Sequence, residues 1–369
     1  MPQSVVAVEL FRIRLPLTKP FRTARGTTTC KETLLVRVVT DDAEGWGEVG
    51  AEVSPTYAPE TLDSARIALR DELVPRLFAR VSFDTVRGNH AARAALSGAL
   101  LDARLRVEGV SLASHLGATR THVDAGVAIG RHDNAGELAA EVAGFLGLGY
   151  RSFKLKVEPG HDLAVVATAR AEAGAGVVIQ VDANGSYTLD HAEHLAELDA
   201  YEVACLEQPL VPDALLDHAR LAARIRTPIG LDETITSPDI ARDACELGAC
   251  SIVSIKAGLV GGIESARATH DACVAAGAGA RAGGMLETGV GRAALVALAS
   301  LPGFTVPGDV SASSRYFEHD VTEPFVLDAG RIAVPTGPGI GVTPIPDRLA
   351  RCTIAHERWI NSEKAARIR

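Results

Sequence analysis

The sequence predicts a parallel α/β barrel preceded by an α+β unit, and three features carry that prediction. Five polar groups recur on a steady beat. Lys154-Leu155-Lys156, Asp182-Ala183-Asn184, Glu207-Gln208-Pro209, Asp232-Glu233 and Ser254-Ile255-Lys256 follow one another at steps of 26, 25, 25 and 24 residues. That interval holds one strand, one helix and their loops, the size of a repeating βα unit. Each group also ends a short apolar run, which places one polar side chain per repeat at the C-terminal mouth of a barrel, where barrel enzymes carry their active sites. Finally, residues 1 to about 50 alternate apolar and polar with period two, as half-buried antiparallel strands do.

In chain order, the N-terminal stretch reads as a meander of Val5–Leu15, Thr33–Val39 and Gly45–Val49, with Asp41, Asp42 and Gly45 as turn residues. Between the first two strands, Pro20-Phe21-Arg22-Thr23-Ala24-Arg25-Gly26 reads as a polar loop with one exposed phenylalanine. Two roles suit it, an ordinary surface hairpin loop or a lid over the site. From about Pro59 to Gly109 apolar residues recur at three and four, and the Ala- and Leu-rich run His90–Val107 reads as a buried packing helix. This first unit covers residues 1–121.

The barrel is expected over 122–315. Its strands are Val123–Ile129, Phe153–Val157, Val177–Val181, Ala204–Glu207, Ile229–Asp232, Ile252–Ile255, Ala280–Gly284 and Phe304–Pro307, with Ala-, Leu- and Glu-rich helices between them. Asp190, Ser237 and Pro238 suit helix starts and Gly248 a helix stop. The segment 316–369 is irregular and rich in Pro and Gly, and within it Phe325–Val334 reads as a hairpin returning to the first unit.

Composition narrows the function. Lys and Arg number 37 against 46 Asp and Glu, a net charge of −9, and no basic run interleaves with aromatics, so no nucleic-acid partner is expected. No uncharged apolar run reaches about 18 residues, so no membrane contact is expected. The N-terminus alternates like a strand and lacks the apolar core of a signal peptide, which predicts a cytoplasmic protein. Cys30, Cys205, Cys245, Cys250, Cys273 and Cys352 form no C-x-x-C pair and read as free thiols.

Side chains two apart on a strand share a face. Lys154 therefore joins Lys156, Gln180 joins Asp182 and Asn184, Cys205 joins Glu207, and Ser254 joins Lys256, all directed into the barrel. Asp182, Glu207 and Asp232 end three successive strands, which lie about 4.8 Å apart. Carboxylates that close raise one another's pKa unless a cation sits among them. Oxygen ligands without His or Cys favour Mg²⁺, with Mn²⁺ as substitute. The competing reading, three unrelated acids paired with arginines or capping helices, leaves their common phase unexplained.

Lys156 on the second strand and Lys256 on the sixth are half a circumference apart, with the carboxylates on the arc between them. Lys154 puts a like charge beside Lys156, which lowers an ammonium's pKa toward the range useful to a base. The set suits removal of a proton from carbon next to a carboxylate, a cation stabilising the enediolate and a lysine taking the proton. Reprotonation from the opposite face gives racemisation, and loss of a β substituent gives elimination. The expected substrate is a small carboxylate.

At these residues the chain resembles the enolase superfamily, muconate-lactonising subgroup, over essentially its whole length. Lys154-x-Lys156, Asp182-Ala183-Asn184, Leu206-Glu207-Gln208-Pro209, Leu231-Asp232-Glu233 and Ile255-Lys256-x-Gly258-x-x-Gly261-Gly262 occur in order and spacing. The resemblance implies a (β/α)7β modified TIM barrel with an α+β capping domain built from both termini. It implies Asp182, Glu207 and Asp232 as Mg²⁺ ligands, Lys156 and Lys256 as the acid/base pair, and Lys154 and Asn184 in support. Within the subgroup, Gly283–Gly291, Pro307-Gly308-Asp309-Val310-Ser311 and Pro20-Phe21-Arg22-Thr23 resemble o-succinylbenzoate synthases and the related N-succinyl- and N-acylamino acid racemases. This implies a place in menaquinone biosynthesis or amino-acid racemisation, with Glu233, Gly284, Met285, Phe21 and Thr23 as supporting or substrate-contacting residues. In such enzymes the counterpart of Lys156 both removes the proton and protonates the leaving group, the other lysine stabilises the intermediate, and racemisation needs both. Barrels of this kind assemble, so a homo-oligomer is expected.

Other readings stay open. Muconate cycloisomerisation and dipeptide epimerisation use the same machinery, although the epimerases' aspartate pair near the last strands is not obviously supplied by Gly284–Gly289. A Schiff-base aldolase needs a lysine but not three carboxylates, and a barrel that merely binds small acids needs no lysine pair. Gly283, Gly284, Gly289 and Gly291 suit either a phosphate cradle or a floor making room for a bulky group beside Met285. Glu287 and Asp309 lie near the mouth without an assigned role.

Overall fold

In the computed structural model, which describes residues 4–23 and 26–362, the chain opens with β1 (Val5–Thr23), β2 (Gly26–Thr40) and β3 (Glu44–Glu48), an antiparallel set. Alternation gives this sheet two buried faces. Leu34, Val36 and Val38 pack with Ala92, Ala95 and Leu96 of the helix His90–Glu108, while Ile13, Leu35 and Trp46 join the barrel core. The helix lies so close that a Cβ on Gly45 would stand 2.1 Å from the Ala99 carbonyl oxygen, and one on Gly47 2.0 Å from that of Ala95. Glycine on the strand and alanine on the helix therefore set the cap's thickness.

β1 and β2 run well past the expected boundary. Beyond a register shift between Pro16 and Phe21 they resume pairing, Phe21 with Thr28 and Arg22 with Thr27, so the predicted polar loop is largely the tip of a long hairpin. Its residues Ala24 and Arg25 lie outside the described residues. Phe21 is 7% exposed, not an exposed ring, because it meets Tyr316 edge-on at 6.3 Å between centroids.

The chain then forms β4 (His122–Asp124), β5 (Gly126–Ile129), β6 (Ser152–Lys156), β7 (Val178–Asp182), β8 (Cys205–Glu207), β9 (Ile229–Leu231), β10 (Ile252–Ile255) and β11 (Gly279–Ala282). From β5 to β11 the strands are neighbours in sequence order and pair in parallel. Phe153, Leu155, Ile179 and Val181, all fully buried, belong to the core under the outer helices, which leaves their polar neighbours to the interior. Asn134, Asp162 and Ser237 accept first-turn N–H bonds at the starts of Ala135–Leu148, Leu163–Ala173 and Pro238–Glu246.

The expected eighth strand at Phe304–Pro307 is reduced to a single bridge between Phe304 and Ala280. The segment still fills the gap between β11 and β5. Val306 N and Asp309 N donate to the carbonyls of Ala280 and Ala282 at 3.3 and 2.9 Å, and a Cβ on Gly126 would fall 2.2 Å from the Gly308 carbonyl oxygen. Pro307 supplies no ladder donor, which keeps the segment irregular.

The predicted first barrel strand divides at Ala125, and β4 leaves the barrel sheet. It pairs with β13 (Arg331–Ala333), which pairs in turn with β12 (Leu327–Asp328). The hairpin expected to return to the first unit therefore joins this small sheet instead. The return is made by β14 (Thr353–Ile360), antiparallel to β1, so the cap is built from both ends of the chain. All six cysteines are free thiols, and no described helix is long and apolar enough to cross a membrane.

Candidate active site

A cavity of about 260 Å³ lies over the C-terminal ends of the barrel strands. The cap walls it with Phe21, Thr23, Thr27 and Thr28 of the hairpin and with Ser54, Thr56 and Tyr57 of the loop after β3. The barrel contributes Lys154, Lys156, Asp182, Asn184, Lys256, Gly284–Glu287, Asp309 and Tyr316. Glu207, Asp232 and Glu233 are buried among these groups without lining the cavity.

Strand register explains the convergence. Lys156 stands opposite Asp182, and Asp182 opposite Glu207, forming one row. Lys154, Gln180 and Cys205 form the row beneath. Glu207 stands opposite Gly230, so Asp232 lies beyond it, just past the end of β9. Lys256 directly follows β10.

The lysines and carboxylates are tightly paired. Lys156 Nζ donates to Asp182 Oδ2 at 2.6 Å and to Asn184 Oδ1 at 2.8 Å. Asn184 adopts a left-handed φ of 46°, tolerable for asparagine, and its Nδ2 donates to Glu233 Oε1 at 2.9 Å. Lys256 Nζ donates to Asp232 Oδ2 and to Tyr57 Oη, both at 2.6 Å, and the Tyr57 hydroxyl donates to Asp232 Oδ1 at 3.1 Å. Lys154 Nζ lies 2.6 Å from Asp309 Oδ2 and 3.3 Å from both Glu207 oxygens and Asp182 Oδ2. Arg281, fully buried on β11, bonds Glu207 through Nη1 and Asp309 Oδ1 through Nη2 at 2.9 Å.

Burial alone would lower Lys154, but Asp309 and Glu207 outweigh it and hold the ammonium well above the ordinary lysine range. Lys256 is raised in the same way by Asp232 against burial. Lys154 is thus engaged as a counter-ion to three carboxylates, a fuller role than the expected like charge beside Lys156. Burial pushes Glu207 up to about 7 against Arg281 and Lys154, and raises Asp232 against Lys256. At Asp182 burial is outweighed by Lys156 and Lys154, and at Asp309 by Arg281 and Lys154, so both lie below the usual carboxylate range.

Among the described residues, no three His, Cys, Asp or Glu side chains are gathered as a ready metal group. At the site, lysine ammonium groups hold the carboxylates of Asp182, Glu207 and Asp232. The donor set itself, three nearly inaccessible carboxylates on adjacent strand ends with no His or Cys, is of the kind that suits a hard divalent cation.

The glycines after β11 make room for neighbours. A Cβ on Gly283 would stand 2.7 Å from both Cγ and Cε of Lys256, and one on Gly284 2.9 Å from Asp309 Cβ. The phosphate-cradle reading fails because the start of the helix Gly289–Ala299 is already occupied. Thr288 N and Gly291 N donate to Glu48 Oε2 at 3.1 and 2.9 Å, and Gly289 N donates to Asp320 Oδ1 at 2.9 Å. Lys31 Nζ donates to the Met285 carbonyl at 2.7 Å, so two cap residues fix this segment.

Sequence reasoning missed Tyr57 and Arg281 and left Asp309 without a role. Arg281 did carry a signal, a lone charge between Ala280 and Ala282 in an apolar strand. Asp309 proves to be the shared partner of Lys154 and Arg281. Tyr57 carried none, since Ser54-Pro55-Thr56-Tyr57-Ala58-Pro59 reads as an ordinary turn.

Residues 137–348 match the family described as enolase C-terminal domain-like. Residues 6–117 match the mandelate racemase / muconate lactonizing enzyme N-terminal domain. An N-succinylamino acid racemase from an Amycolatopsis species is 48% identical over 364 residues, covering 96% of this chain and 99% of that protein. An o-succinylbenzoate synthase from Geobacillus kaustophilus is 41% identical over 352 residues, covering 92% and 94%. A solved enolase-superfamily structure from Listeria innocua superposes with a TM-score of 0.93 at 34% identity, covering 98% of this chain and all of that one.

Proposed function

Because the chain belongs to the enolase superfamily, we propose that it is a Mg²⁺-dependent o-succinylbenzoate synthase, dehydrating 2-succinyl-6-hydroxy-2,4-cyclohexadiene-1-carboxylate, that also racemises N-succinylamino acids. The observation that carries this reading is the placement of Lys156 and Lys256, each against a different aspartate on either side of one arc of buried carboxylates. Asp182, Glu207 and Asp232 would hold Mg²⁺, with Mn²⁺ as substitute. When bound, it supplies Lewis-acid stabilisation of negative charge on the substrate carboxylate.

Lys156 takes the proton on the carbon next to that carboxylate. In the dehydration the same ammonium returns the proton to the departing hydroxyl as the C–O bond breaks, releasing water, while Lys256 stabilises the enediolate. In racemisation Lys256 delivers a proton to the opposite face. Asn184 and Lys154 orient and balance these groups, and Glu233 orients Asn184. Phe21, Thr23, Gly284 and Met285 shape the space for the acyl and side-chain groups.

The greater identity to the racemase favours a second reading, a dedicated N-succinyl- or N-acylamino acid racemase. The test is kcat/KM for dehydration of the cyclohexadiene precursor beside racemisation of N-succinylphenylglycine in one Mg²⁺-containing preparation. Efficient dehydration supports the synthase, feeble dehydration beside fast racemisation supports the dedicated racemase, and absence of both rejects the substrate assignment.

A further inference from the structure

Lys156 and Lys256 are held by different parts of the molecule. Lys156 Nζ bonds Asp182 and Asn184, both from the barrel. Lys256 Nζ shares Asp232 with Tyr57, which belongs to the cap, and the tyrosine ring centroid stands 4.4 Å from the same nitrogen. Tyr57 is 8% exposed and packs with Leu259 and Met285, so its own position is set where cap meets barrel. Gly283 also borders the lysine stem so closely that a Cβ there would stand 2.7 Å from Lys256 Cγ and Cε.

A lysine side chain has four rotatable bonds, and proton transfer to or from carbon demands alignment of the reacting atoms. Lys256 is therefore aimed by three constraints: the Gly283 backbone along its stem, Asp232 at its head and Tyr57 over it. Among the described residues, no cap side chain hydrogen-bonds Lys156.

We infer that Tyr57 is a positioning residue that aims Lys256, so that docking of the cap governs proton transfer at one face of the substrate α-carbon while the barrel alone governs the other. The inference rests on the two-lysine reading above. It gives the cap a role in stereochemical balance in addition to walling the cavity.

The test is Tyr57→Phe, which keeps the ring and removes the hydroxyl. Exchange of the α-proton for deuterium in D₂O is followed by NMR for each enantiomer of N-succinylphenylglycine with Mg²⁺ present. Lys156→Ala and Lys256→Ala identify which enantiomer loses its proton to which lysine. Exchange at the Lys256 face is expected to fall between about tenfold and about a hundredfold. Exchange at the Lys156 face, KM and the melting temperature are expected to stay the same. An equal fall at both faces, no fall at either, or a raised KM with kcat intact would overturn the assignment, the last by making Tyr57 a substrate contact. Wild-type protein that exchanges neither enantiomer would overturn the functional reading and this inference with it. Normal wild-type exchange without face bias in the variant would overturn the inference alone.

Discussion

Lys156 and Lys256 each hold Nζ 2.6 Å from an aspartate, Lys156 from Asp182 and Lys256 from Asp232, at opposite ends of a carboxylate row that spans three adjacent strands. Equivalent contacts with unequal duties give a sharp expectation. Lys256→Ala removes the proton donor of one face, so racemisation of N-succinylphenylglycine should fall by at least about a thousandfold, the scale of a lost general acid. Dehydration should stay measurable, because in the proposed mechanism Lys156 both takes the proton and returns it to the leaving hydroxyl. Lys156→Ala should abolish both. Steady-state assays of the two reactions decide it, and equal collapse of both in Lys256→Ala would refute this division of labour.

Removal of metal tests the carboxylate row. Treatment with EDTA should abolish both reactions, with recovery on adding Mg²⁺ and at least partial recovery with Mn²⁺. By calorimetric titration, Asp232→Asn should bind Mg²⁺ at least about tenfold more weakly than wild type. Activity that survives exhaustive EDTA treatment would reject the metal assignment, whatever the substrate proves to be.

The residues that were legible in the sequence are those tied to a local period. Lys156, Asp182, Glu207, Asp232 and Lys256 recur on the βα beat, and strand alternation points Lys154 and Gln180 the same way, which the register of β6, β7 and β8 reproduces. What escaped depends on packing between distant segments. Tyr57 meets Asp232 and Lys256 across 175 and 199 residues, a contact set by how the cap docks. Phe21 reads as exposed because its neighbours in sequence are polar, whereas Tyr316 and Arg315, some 295 residues on, pack against its ring. The hairpin of β12 and β13 was legible as a hairpin, but its strands of two and three residues are too short to reveal that its partner is β4.

Phe21 offers a test of the hairpin tip. Its ring lines the cavity beside Tyr316, so Phe21→Ala removes apolar wall without touching a lysine or a carboxylate. KM for N-succinylphenylglycine should rise about tenfold, as for lost hydrophobic contact, with a smaller change for N-succinylalanine. Steady-state kinetics on the two substrates would show it. Equal changes for both would remove the hairpin tip from substrate selection.

Glu48 makes the joint between cap and barrel sensitive to pH. Burial pushes its carboxyl up to about 7 despite Lys31 and the bonds from Thr288, with Glu287 adding to the rise. A carboxyl raised in the folded state binds its proton more tightly there than in the unfolded chain. Its contribution to stability is therefore greatest below the unfolded pKa of about 4.3 and declines as pH rises toward 7, by up to about 3 kcal/mol. Glu48→Gln has no proton to lose and should lack that decline. Urea unfolding of both proteins at about pH 5 and about pH 7.5 should show wild type losing stability relative to the variant as pH rises. The other titrating groups are common to the two chains and cancel in the comparison. Parallel pH dependences would mean that Glu48 ionises alike in the folded and unfolded states, and that the proton plays no part in holding the cap to the helix Gly289–Ala299.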